Sequence, residues 1–195
     1  MDLPHFRYHP DPLATGAIEP RAITCACCGE QRGFVYVQPV YATSDLDEKL
    51  CPWCIADGSA AAKLGASFSD PAPLQQAGVA ADIVDEVSRR TPGYSCWQQE
   101  EWLAHCNDAC EFHGDASEDD VANASDAVKA DWCQRYGKTD KQWTAATRDY
   151  EPAGDNAFYK FVCRHCGGGE AGVGLHLKHC RDHQSQPPCP TSRAR

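Results

Sequence analysis

The chain has 195 residues, enough for one compact domain, or for one domain with a small metal-clipped lobe. Apolar residues make up 42 %, drawn largely from Ala, Cys and Trp with one Met, so the expected core is thin and would benefit from a staple. A formal net charge of −10 argues against a nucleic-acid face, and no stretch has the length and apolarity of a membrane-spanning helix.

Residues 1 to 24, with Pro4, Pro10, Pro12 and Pro20, read as an extended lead-in. The opening Met1-Asp2-Leu3-Pro4-His5-Phe6-Arg7-Tyr8 lacks the basic leader and apolar run of a secretion signal, so the expectation is a cytoplasmic protein. In a reducing compartment the 13 cysteines, odd in number and often closely paired, read as metal ligands rather than disulfides. Cys25-Ala26-Cys27-Cys28-Gly29 is followed by a β-like stretch, Gly33 to Val37, and then by Cys51-Pro52-Trp53-Cys54. An Ala-rich helix is expected from Ile55 to Lys63.

Residues 69 to 78 form a Pro- and Gly-bearing connection. Val79, Ile83 and Val87 recur at helical spacing, and Thr91-Pro92-Gly93 ends that helix. Ser95 and Gln98 have the form of a capping box opening another helix, whose face would carry Trp102, Cys106 and Cys110. A third helix is expected from Ser117, with Glu118, Asp119 and Asp120 at the positive end of its dipole. Val121, Ala124, Val128 and Trp132 form its apolar stripe, and Gly137 stops it. After a loop through Pro152 and Gly154, Ala157 to Val162 reads as a strand delivering Cys163. Beyond Gly167 the pattern decays, and the tail is expected to be disordered.

Two constellations carry chemistry. Cys25-x-x-Cys28 and Cys51-x-x-Cys54, separated by 22 residues, have the form of a zinc ribbon. Two intervening residues let a tight turn set both sulfurs on one edge of a tetrahedron, and Gly29 supplies the left-handed backbone such turns use. Cys163-x-x-Cys166-Gly167 repeats that turn and needs two more ligands. One source is His179 and His183, which follow after 12 residues, although Glu170 and His176 stand where a two-Cys, two-His finger needs large apolar residues. The other is Cys106 and Cys110, which would share a face if helical, with His105 and His113 nearby as substitutes. Cys27, Cys96, Cys133, Cys180 and Cys189 are left without a role.

The sequence resembles the CbrC family of bacterial proteins. The resemblance spans residues 1 to 167 and rests on Leu3 to Pro12, Cys25 to Gly29, Cys51 to Gly58 and Thr91 to Tyr94. It continues in Trp97-Gln98, Trp102, His105 to Phe112 and Phe161 to Cys166. The resemblance implies an association with tolerance to a DNA-cleaving colicin and no enzymatic activity. It also implies pairing of Cys106 and Cys110 with Cys163 and Cys166, since all four lie in the shared motifs.

The reading is an α+β protein: a zinc-ribbon region over 1–70, a mostly helical body with a second zinc site over 71–167, and a tail over 168–195. Two zinc ions are expected, on Cys25, Cys28, Cys51 and Cys54 and on Cys106, Cys110, Cys163 and Cys166. The expected function is non-enzymatic binding or stress tolerance with a basic protein partner. The rivals are a redox enzyme using Cys51 and Cys54, and a zinc-ribbon module that binds nucleic acid, for which Arg89, Arg90, Lys160 and Arg164 make too weak a basic stripe.

Overall fold

The computed structural model describes residues 2–96, 100–154, 156–166 and 175–181. Its proline-rich lead-in is packed into the body, with Phe6, Tyr8 and His9 all buried. The His9 ring lies 2.8 Å from the Pro92 carbonyl through Nδ1 and 2.6 Å from the Thr15 hydroxyl through Nε2. A carbonyl only accepts, so Nδ1 carries the proton and Nε2 accepts from Thr15.

Burial holds the His9 pKa down at about 4, against the upward pull of the Pro92 carbonyl. In the unfolded chain the same ring protonates near pH 6.5. Its contribution to stability is therefore complete above pH 6.5 and is lost as the pH falls toward 4, at about 1.4 kcal/mol per unit. Urea unfolding across that window should show the gap between wild type and His9→Gln shrinking in acid. Parallel profiles would remove His9 as the titrating group.

The chain then forms β1 (Ile18–Pro20), which pairs antiparallel with β2 (Phe34–Tyr36). The expected helix from Ile55 to Lys63 is two helices, α1 (Pro52–Ala56) and α2 (Ser59–Leu64). The break falls at Gly58, whose φ of +76° takes the chain out of the helical region. These elements enclose a first core that includes Phe6, Ile18, Tyr36, Leu50, Ile55 and Phe68.

The 69–78 connection holds one short helix, α3 (Ala72–Gln76), and leads to α4 (Ala81–Arg90). Helix α4 ends at Thr91 as expected, but of the expected stripe Val79 lies ahead of its first residue and Ile83 is half-buried, while Val84 and Val87 are buried. Residues 100 to 115 are not helical. They form β3 (Ala104–His105), β4 (Asp108–Ala109) and β5 (Glu111–Asp115). Of the supposed capping box, Gln98 lies outside the described residues, as does Trp97. Strands β3 and β4 pair antiparallel around Cys106 and Asn107, whose φ values of +52° and +59° make a type I′ turn. Trp102, Tyr94, Phe112 and Phe161 fill the second core, where Tyr94 stacks on Phe112 at 4.4 Å.

The helix expected from Ser117 is also two, α5 (Glu118–Ala122) and α6 (Asp126–Tyr136). Ser125 restarts it by accepting the N–H of Val128 at 3.3 Å, while Gly137 closes α6 at φ +60°. The break leaves the apolar stripe intact, because Val121, Ala124, Val128 and Trp132 all lie in the third core. A helix the sequence reading did not contain, α7 (Asp140–Thr147), packs Trp143 edge-on against Trp132 and follows a Thr139–Gln142 capping box.

The predicted strand is β6 (Asn156–Val162), the centre of a three-stranded antiparallel sheet in the order β5-β6-β7, with β7 at Leu175–Arg181. The body therefore mixes helix with small antiparallel sheets instead of being mostly helical. Strand β7 falls within the 168–195 stretch expected to lack structure, and the remainder of that stretch lies outside the described residues. Among the described residues no helix is long and apolar enough to cross a membrane.

Candidate metal centre

Each Cys-x-x-Cys pair is set by local backbone chemistry. At the first, the Gly29 N–H donates to the Cys25 carbonyl at 2.8 Å while Gly29 takes φ +75°, which closes the turn. The Ala26 N–H is held by the Lys49 carbonyl at 2.8 Å, tying this turn to the chain that enters the second pair. Cys51 is the N-cap of α1, Pro52 occupies the first helical position, and Cys54 follows one turn on.

These turns bring Cys25, Cys28, Cys51 and Cys54 together, as their spacing predicted. The Sγ separations are 3.9 Å for Cys25–Cys54, 3.9 Å for Cys28–Cys51 and 3.6 Å for Cys51–Cys54. A tetrahedron with metal–sulfur bonds of about 2.3 Å has edges of about 3.8 Å. The four sulfurs therefore match the shape that one tetrahedral ion requires.

Electrostatics divide the work among the thiols. Burial would raise Cys25, but N–H groups of Cys28, Cys51 and Cys27 aimed at its sulfur outweigh that and draw it down to about 7. One of them, the Cys51 N–H, lies 3.3 Å from Sγ. Burial dominates at Cys51, pushing it up to about 11, and raises Cys54 further. A cation is the group able to hold all four as thiolates at neutral pH. Cys27, between Cys25 and Cys28, turns instead to the Ser59 hydroxyl at 3.4 Å.

The second cluster is His105, Cys106, Cys163 and Cys166, with all four ligand atoms within 4.8 Å of one another. His105 Nδ1 lies 3.2 Å from Cys106 Sγ and 3.3 Å from Cys166 Sγ. Mixed N and S ligands on one tetrahedral ion would stand about 3.6 Å apart, so the cluster is slightly tighter than a loaded site. At Cys163, burial again opposes N–H groups, here of Cys166 and His165, and the N–H groups prevail, lowering it to about 7. Burial raises Cys166 to about 11.

Cys110 is not brought to this cluster. It is fully buried in the second core, its N–H held by the Leu103 carbonyl and its carbonyl by Trp102 Nε1, both at 2.9 Å. The four-residue spacing would align Cys106 with Cys110 on one continuous element, but here the chain reverses between them, so Cys106 sits at the hairpin tip and Cys110 beyond the returning strand. His105, the last residue of β3, takes the fourth place, having been considered from the sequence only as a substitute. His113 pairs instead with Glu111 at 3.2 Å.

Asp108 was missed by sequence reasoning. It is 6 % exposed and joins both arms of the second cluster. One carboxylate oxygen accepts from the Tyr8 hydroxyl and the Ala109 N–H, both at 2.8 Å. The other meets His165 Nε2 at 2.9 Å and Arg164 Nη1 at 3.4 Å, both from the Cys163–Cys166 turn. Burial alone would raise this carboxyl, but its hydrogen bonds hold it below the ordinary value. The only sequence signal was Asn107, a residue that tolerates left-handed turns and so hints at a hairpin here.

The remaining candidates fall elsewhere. His179 lies on β7, opposite Phe158, where a two-Cys, two-His finger would need a helix, and His183 lies outside the described residues. Cys133 stands 3.8 Å from Asp140, and Cys96 is disulfide-bonded. Cys180 lies on β7, and Cys189 is outside the described residues. The acidic run is a helix start, with Asp120 closing a capping box with Ser117 and bridging Lys160 at 2.7 Å.

An α+β scaffold holding two clusters of four donors defines a cysteine-rich protein able to hold metal at two places. Within that class, the chain belongs to the Uncharacterised protein family (UPF0167), whose family model matches residues 3–173. It is similar to the UPF0167 protein PA1536 of Pseudomonas aeruginosa, 52% identical over 166 residues, covering 85% of this chain and 93% of that protein. It is also similar to the UPF0167 protein Mb2317 of Mycobacterium bovis, 48% identical over 128 residues, covering 66% of this chain and 68% of that protein. No solved structure matches the chain.

Proposed function

We propose that this chain is a non-catalytic, zinc-stapled protein that presents an acidic surface to a basic protein partner. The observation that carries the metal reading is the set of Sγ separations of 3.6–3.9 Å at Cys25, Cys28, Cys51 and Cys54, close to the edge of a zinc–thiolate tetrahedron. On this reading the first site is a zinc ribbon built on β1, β2 and α1, and the second is a His105, Cys106, Cys163, Cys166 site. Zinc is favoured over harder cations because seven of the eight donors are thiols. Four protein donors fill each tetrahedron and leave no position for a substrate or activated water.

The partner reading is supported by charge. The chain already carries −10, and loaded sites would add roughly −2 and −1. Glu118 and Asp119 remain exposed at the start of α5, whereas Asp120 is engaged by Lys160. The resemblance to the CbrC family supports a nuclease domain of a colicin as the basic partner, and the cytoplasm as the place of contact.

Protein purified without added zinc is expected to carry two equivalents by elemental analysis. His105→Ala or Cys106→Ser should each lose one, and Cys110→Ala should keep both. Retention of two equivalents by His105→Ala, with loss from Cys110→Ala, would restore the all-cysteine second site. Metal-free folded protein would remove the reading altogether.

A further inference from the structure

We propose that the second cluster is an oxidation-gated metal site: a peroxide converts Cys106 and Cys166 to a disulfide and expels the ion, while the first cluster keeps its own. The inference rests on the two-ion reading above and concerns what distinguishes the two sites.

The first difference is access. Cys25, Cys51 and Cys54 are only 1 %, 1 % and 3 % exposed, built into the first core. In the second cluster His105 and Cys106 are exposed, Cys166 is half-buried, and Cys163 alone is buried. Oxidation of a thiolate by peroxide requires both ionisation, which the metal supplies, and access, which the second cluster offers at the exposed Cys106 while the first offers no donor more open than the half-buried Cys28.

The second difference is how Cys106 is held. It occupies a central position of a two-residue turn at φ +52°, a conformation that disfavours a residue with a Cβ. Its sulfur stands at the hairpin tip and within 4.8 Å of Cys166, so side-chain rotation can bring the two together.

The third is that the scaffold does not depend on this ion to keep its arms together. Asp108 bonds the turn bearing His165 and Arg164 to the strand that returns from Cys106, and Tyr8 anchors the carboxylate from below. Arg164 adds a contact to Glu111 at 3.3 Å. The first cluster has a backbone tie, from the Ala26 N–H to the Lys49 carbonyl, but no side-chain clasp of this kind among the described residues, and its sulfurs are themselves part of the core packing. Loss of the second ion therefore leaves hairpin and turn in place to be reloaded.

The chemistry balances with hydrogen peroxide as the oxidant. The Cys106 thiolate attacks one peroxide oxygen, the O–O bond breaks, Cys106 becomes a sulfenic acid, and the hydroxide that leaves is protonated to water. The Cys166 thiolate then attacks that sulfur, the S–S bond forms, and a second hydroxide leaves and is protonated to water. Two electrons pass from the two thiolates to the peroxide. Only His105 and Cys163 remain as donors, too few to hold the ion.

The test adds one equivalent of hydrogen peroxide to the full zinc-loaded chain in the presence of a chromogenic zinc chelator. The zinc content is counted beforehand, and a starting value below two equivalents overturns the two-ion reading and the inference with it. From two, the expected result is release of one equivalent, loss of two thiols, and a peptide map showing Cys106 joined to Cys166. Cys27→Ser, which removes a thiol outside both clusters, should release the same single equivalent. Release of both ions together, release from the first cluster first, or a map with Cys106 still reduced would each overturn the inference while leaving the two-ion reading intact.

Discussion

Cys54→Ser is expected to remove one zinc equivalent and to unfold the segment around the first core, at a cost on the order of 5 kcal/mol or more. Metal coupled to folding supplies on the order of 10 kcal/mol in small thiolate sites, comparable to the whole stability of a typical domain. Cys25, Cys51 and Cys54 do double service, as proposed ligands and as buried members of the first core. That core draws its bulk from few large residues, among them Phe6, Tyr36, Leu50 and Phe68. Without the ion, burial keeps Cys51 and Cys54 protonated, and the two knuckles retain only hydrogen-bond ties such as the Ala26 N–H to the Lys49 carbonyl and the Cys51 N–H to Cys25 Sγ. Hydrogen exchange should localise the loss to residues 18–68, while the third core around Trp132 and Trp143 stays protected. The control is Cys27→Ser, which should stay within about 0.5 kcal/mol of wild type. A Cys54→Ser protein with two zinc ions and unchanged protection would remove the first site from the account.

The first cluster was legible in the sequence because its determinants are local. Cys25-x-x-Cys28-Gly29 and Cys51-Pro52-Trp53-Cys54 carry their own turn chemistry, and only the closing of one pair on the other is tertiary. Half of the second cluster was legible for the same reason, since Cys163-x-x-Cys166 follows strand β6 where the apolar run predicted it. The other half was not. The spacing of Trp102, Cys106 and Cys110 mimics a helix face, and a hairpin of two short strands instead leaves Cys106 at its tip and sends Cys110, just past the second strand, into the core. A capping-box pattern marks a real helix at Thr139, where it was overlooked, whereas the pattern at Ser95 runs into Gln98, outside the described residues. The helices broken at Gly58 and Ser125 kept their apolar faces across the break. Burial patterns survive such errors because the stripe depends on periodicity, whereas the break depends on one cap.

The contacts that unite the parts of the molecule were the least visible, because they join residues far apart through single atoms. Asp108 is one example, and Gly93 is the other. Gly93 follows α4, and its N–H donates to the Tyr36 hydroxyl at 3.2 Å, reaching from the second core into the first. A Cβ built at this position would stand 1.9 Å from the Phe68 carbonyl oxygen and 3.0 Å from the Tyr36 hydroxyl. The Phe68 backbone cannot easily retreat, since its N–H is bonded to the Ser88 carbonyl of α4 at 2.7 Å. Gly93→Ala is therefore expected to cost at least about 3 kcal/mol, the upper end for overpacking, by driving the two cores apart. Gly78→Ala gives the comparison: its φ of +73° strains any side chain, but nothing lies within 4 Å of the new methyl, so about 1 kcal/mol is expected. Urea midpoints for the two variants, each with its zinc content measured, separate close approach from backbone conformation. Equal midpoints would mean that the Phe68 segment yields, and that the first and second cores are joined by the metal-clipped chain rather than by this contact.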